Sequence, residues 1–70
     1  MTNYLITRVY SDSTCTQEHA PDIVAALEAA AIYLRDESCW SLKIEELHTL
    51  CYPYEEPFTI SKEVMNYYRP

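Results

Sequence analysis

The chain contains no glycine in 70 residues, and that absence narrows what it can become. Glycine supplies left-handed backbone at tight turns. Without it the two-residue Asn-Gly turn is excluded, so a hairpin needs a longer loop. Phosphate-cradling loops and dinucleotide fingerprints are excluded too, because both need glycine where backbone meets ligand. No glycine-containing turn suggests oxyanion donors.

The other chemistry-bearing residues are sparse. Cys15 and His19 stand four apart, but on a strand they would share a face two steps apart, with no third group to orient them. Glu45 with Glu46 and Glu55 with Glu56 are adjacent pairs, not a separated acid and base. Cys15, Cys39 and Cys51 form no CxxC pair, and neither His19 nor His48 stands in a zinc-ligand spacing with them. An odd cysteine count also argues against a secreted disulfide framework. The expectation is a protein that is not an enzyme, with no cofactor and no metal, whose cysteines are reduced and serve as small, partly buried residues.

Length and charge set further bounds. The expectation is a single domain over 1–70, thinly stable because a chain this short buries only about 60% of its unfolded surface. Hydrophobic residues make up 49% of it, a globular composition. The longest apolar run, 23–31, is too short to cross a bilayer, and "MTNYLITRVY" lacks the flank and core of a signal peptide, so no membrane association and a cytoplasmic location are expected. Eleven acidic residues against five basic ones give a net charge of −6. Direct nucleic-acid binding needs a basic footprint and is not expected. An acidic surface favours a protein or ribonucleoprotein with a basic surface, although charge also serves solubility alone.

Periodicity gives the elements. "NYLITRVY" alternates, with Leu5, Thr7 and Val9 on one face and Tyr4, Ile6, Arg8 and Tyr10 on the other. "SDST" collects turn formers, and "CTQEH" reads as a second strand returning through a loop around Asp12. "APDIVAALEAAAIYLRDES" predicts a helix over 22–36, with Pro21 in its first turn, Asp22 as cap and Arg35 complementing its C-terminal dipole. Its expected apolar stripe is Ile23, Leu27, Ala30, Ala31 and Leu34. "CWSLKIEELHTL" fits a strand or a helix. The strand is preferred because a lone hairpin cannot cover a helix, with a bulge near Glu46 to absorb Leu47. Pro53 and Pro57 confine "CYPYEEP" to an edge or loop. "FTI" suits a short strand, and "SKEVMNYY" reads as a terminal helix capped by Ser61, with Val64, Met65 and Tyr68 inward. The fold class is therefore α+β: a small antiparallel sheet packed against one Ala-rich helix, plus a short C-terminal helix. Its expected core is Leu5, Val9, Ile23, Leu27, Ala30, Leu34, Leu42 and Ile44.

"CYPYEEPF" carries the main functional expectation. Rings of Tyr52, Tyr54 and Phe58 interleave with Glu55 and Glu56 between two prolines. Proline lowers the ordering cost of an interface, tyrosine anchors interfaces, and carboxylates accept Arg or Lys. Tyr52, Tyr54, Glu55 and Glu56 are thus the expected partner-binding residues; the alternative is that the rings wrap one edge of the core. Seven tyrosines favour an interaction surface somewhere, since a small core cannot enclose so many hydroxyls.

The opening "MTNYLI", the helix start "APDIVAALEAAA" and the later "YPY" resemble the pattern of small phage-encoded anti-CRISPR proteins, in particular those directed at type I-E systems. The order of elements is similar: an opening strand, an Ala-rich helix entered through Ala-x-Asp-Ile, then strands. The chain departs from that pattern in lacking glycine and in its expected C-terminal helix. The resemblance implies a stoichiometric inhibitor of a bacterial defence complex with a type I target, acting in the host bacterial cytoplasm. Two alternatives stand beside it: a phage inhibitor of another host protein, such as a polymerase subunit or a toxin, and a homodimeric adaptor or structural domain.

Overall fold

The computed structural model describes residues 2–69. Strands β1 (Thr2–Tyr10) and β2 (Cys15–Ala20) lead into helix α1 (Ile23–Tyr33), which is followed by β3 (Cys39–Leu50) and β4 (Phe58–Tyr68). All pairings are antiparallel, in the order β2-β1-β3-β4. The β1–β2 connection is the longer loop expected around Asp12. Thr14 N–H donates to Asp12 Oδ1 at 2.9 Å, and Ser13 takes the left-handed position with φ 70°.

Asp22 caps α1 as expected, its Oδ1 accepting from Ala25 N–H at 2.8 Å. The helix ends three residues earlier than predicted, at Tyr33. Its C-terminus is served by Arg69 rather than by Arg35, which is exposed. The Arg69 guanidinium donates to the carbonyls of Leu34 (3.1 Å), Asp36 (3.2 Å) and Cys39 (3.1 Å). These include carbonyls that a helix end leaves without an intrahelical partner.

The core differs from expectation in which faces it uses. Ile6, Leu42 and Ile44 are fully buried beneath Ala26 and Ala30. Leu5 and Val9 lie on the face of β1 turned away from the helix and are half-buried. Leu27 is 46% exposed and Ala31 is exposed, while Ile23 and Leu34 are half-buried. The helix has turned its small residues to the sheet. Ile6, Leu42 and Ile44 already fill the space between the layers, and alanines let the backbone approach closely; Leu27 on that face would hold it off.

The strand preferred for 39–50 is present, but its expected bulge near Glu46 is not. Alternation runs unbroken from Ser41 to Leu50, so Leu47 simply faces away from the helix, opposite Asn3. The extra residue lies on the partner strand: Ile44 pairs with Met65 and Glu45 with Glu63, leaving Val64 unpaired. That bulge explains the error at the C-terminus. The expected helix over 61–68 is strand β4. An inserted residue puts Val64 and Met65 side by side in a pattern that imitates helical spacing. Ser61 pairs with Leu47 instead of capping a helix, and only Met65 of the three inward residues packs on the core.

Candidate interaction surface

β1 begins at Thr2, opposite His48, so among the described residues β3 and β4 run on beyond that point as a short two-stranded ribbon of two residue pairs, Thr49–Thr59 and Leu50–Phe58. Loop 51–57 closes the ribbon, and all seven of its residues are exposed. The molecule is 47 Å long and only 24 × 16 Å across. "CYPYEEP" is therefore a hairpin tip. It does not wrap an edge of the core.

Within the tip the expected residues play different parts. Tyr52 stacks on Phe58 with ring centroids 5.9 Å apart and planes at 21°, closing the base of the loop. Glu55 N–H donates to Tyr52 O at 3.3 Å. Between them Tyr54 adopts φ 69° and is wholly exposed. Left-handed backbone costs a bulky residue about 1–2 kcal/mol. Ser13 meets the same demand at the other hairpin with a small polar residue. At Tyr54 a large ring occupies it, and it returns no packing to its own chain. Glu55 and Glu56 follow it, both exposed.

Of the remaining tyrosines, Tyr67 and Tyr68 are exposed on β4. Tyr4, Tyr10 and Tyr33 are half-buried on the helix side and hydrogen-bonded. Arg8 stacks beneath Tyr33, its guanidinium carbon 3.7 Å from the ring centroid, and lies 3.7 Å from Glu18. Tyr33 donates its hydroxyl to Glu18, and this bond holds the phenol above its ordinary pKa. Glu46 is held below the carboxylate range, first by its hydrogen bond with His48. Tyr4 donates to the same carboxylate at 3.3 Å. With His48 Nε2 directed at Glu46, a neutral ring leaves Nδ1 to accept from Thr2 Oγ1 at 3.1 Å. These clusters tie strands to each other and to the helix. Sequence periodicity had placed Tyr4, Arg8 and Tyr10 on one face, but their partners are set by strand register, which it does not give.

Two further features were not anticipated. An open groove of about 520 Å³ is lined by Val9, Trp40, Ser41, Tyr68 and Arg69 on the helix-free side. Trp40 reaches it because it is the inserted residue at a second register shift, between the Val9–Ser41 and Tyr10–Cys39 pairs. The other feature is β4, exposed along its length except at Met65. Cys15 and His19 lie on one face of β2, both exposed, opposite Val9 and Leu5. Of the cysteines only Cys39 is buried.

A four-stranded antiparallel sheet with one helix across part of one face defines an α+β protein. No protein-family model, curated protein or solved structure matches the chain. Among the described residues no helix is long and apolar enough to cross a membrane.

Proposed function

We propose that the protein is a non-enzymatic binding module that inhibits its target stoichiometrically, with the hairpin tip as its contact. The observation that carries this reading is Tyr54: a wholly exposed ring on left-handed backbone at the apex of a projecting ribbon, followed by two exposed carboxylates. Backbone strain retained at an exposed tip points to a use outside the chain's own packing. A ring beside two carboxylates suits a basic protein or ribonucleoprotein surface, the ring giving contact area and the carboxylates accepting Arg or Lys. The resemblance to small anti-CRISPR proteins specifies the target class as a bacterial type I CRISPR effector complex.

The test is binding and inhibition of a purified type I complex, comparing the parent chain with the double variant Glu55→Lys, Glu56→Lys. The expected result is saturation at fixed stoichiometry by the parent and at least tenfold weaker binding by the variant, with unchanged folding. Failure of the parent to bind removes the type I target; equal binding by both proteins removes the tip.

A further inference from the structure

We infer that β4 is a self-association edge, through which two copies of the chain join by antiparallel β4–β4 pairing about a two-fold axis near Ile60. The sheet order leaves β4 with one side unpaired along 11 residues, a ready template for another strand. Helix α1 lies over β1, β2 and β3, and none of its Cα atoms comes within 8 Å of β4. Phe58, Ile60 and Val64 are accordingly 44%, 49% and 43% exposed. Edge strands are ordinarily guarded by charge and by bulges, and here both guards are compromised. Lys62 stands opposite Glu46 across the ladder, and Glu63 beside it has the opposite sign, so the edge's two charges do not repel a second copy as a run of like charge would. The bulge at Val64 limits regular pairing to 58–63 but leaves those six residues uninterrupted.

The occupant follows from charge and side-chain matching. Ten of the eleven acidic residues precede position 58, whereas the stretch beyond it carries Lys62 and Arg69 against Glu63 alone. Within 58–63 the charges are Lys62 and Glu63, one of each sign, so the edge itself presents no net charge to a second acidic copy, with Glu45 and Glu46 one strand behind it. Antiparallel partners share a face, so a two-fold seam within 58–63 can centre on Ile60 or on Ser61. In the first, Ile60 meets its own copy and Phe58 lies against the stem of Lys62. In the second, Ile60 packs on that stem. Either way Ile60 is at the middle of the seam. An interface this short belongs to the small, weak class, so the dimer is expected to form with rising concentration.

Sedimentation velocity on the full chain, from micromolar to several hundred micromolar, tests this. The mass should rise from 8.2 kDa toward twice that value. Ile60→Lys, which sets like charges together at the seam, should weaken association at least tenfold. Because Ile60 is outside the tip, this outcome is distinguishable from failure of the tip as a contact. Hydrogen exchange on the unaltered chain gives a second reading: amides within 58–63 should exchange more slowly at high concentration than at low. A monomer at every concentration, exchange in 58–63 indifferent to concentration, or a dimer unaffected by Ile60→Lys in a folded protein would each overturn the inference.

Discussion

Arg69 illustrates how much one residue can hold in so small a chain. Its guanidinium reaches carbonyls at the end of α1 and at the start of β3, joining the C-terminal stretch to the middle of the sequence. Arg69→Ala should destabilise the fold by about 1–3 kcal/mol in urea unfolding, as expected for charge-assisted bonds, whereas Arg35→Ala should stay within about 0.5 kcal/mol. The sequence pointed to Arg35 because helix dipoles are read from local neighbours; Arg69 is 34 positions away and is brought in only by β4. Tyr33 makes a prediction for alkaline pH. Its folded pKa is raised above the ordinary value of 10.0, first by the bond to Glu18. The folded state therefore keeps a proton that the unfolded chain has begun to lose. The contribution is complete below pH 10 and declines as pH rises through the folded value. Stability measured from pH 8 upward should fall more steeply for the parent than for Tyr33→Phe. Glu46, Asp36 and Asp12 act in the opposite range, since their folded pKa values are lowered. Their contribution is present at neutral pH and lost as pH falls through those values.

At the scale of elements, β1 and α1 are legible from a period and a cap, β2 from the turn formers before it, and β3, whose sequence fits strand or helix, only because a helix needs more than a hairpin beneath it. Which face each turns inward is not legible. β1 offers Leu5 and Val9 on one face and Ile6 between tyrosines on the other, and alternation cannot rank two apolar faces. α1 is apolar on several sides, so its orientation is decided by the sheet's bulk beneath it. Paired substitutions test the observed choice. Ile6→Ala should cost about 2–5 kcal/mol, and Leu5→Ala clearly less. Leu27→Ala should cost less than Ile6→Ala by the same reasoning, while Ala30→Leu should cost about 1–3 kcal/mol through overpacking. Equal losses for Ile6→Ala and Leu5→Ala would contradict the burial of one face. The start of β4, "FTI", reads correctly as a strand, but 61–68 reads as a helix because the bulge at Val64 disguises a period of two. Its Thr59, Ile60, Val64, Tyr67 and Tyr68 are nevertheless strand formers, and that composition was the available signal.

At the scale of the whole molecule, a short sheet holds a ribbon clear of its core, and the ribbon ends in a ring and two carboxylates. The prolines mark 51–57 as an edge or loop, but they do not show that it projects from the core. The left-handed apex is not legible, because absence of glycine says only that some other residue must take such positions. The net charge of −6 gives the molecule a long-range field. Association with a basic complex should therefore slow as salt rises, since exposed charges are screened over about 10 Å at 0.1 M. An on-rate unchanged between low and physiological salt would exclude steering by the acidic surface. The most direct measurement is Tyr54→Gly, assayed for stability and for binding to a purified type I effector complex. Glycine takes φ 69° without steric cost but loses more entropy on folding, so stability should hold or rise by up to about 1 kcal/mol. Binding should weaken at least tenfold. Loss of stability beyond about 1 kcal/mol would show that Tyr54 serves the fold, and binding equal to that of the parent would show that it serves no partner contact.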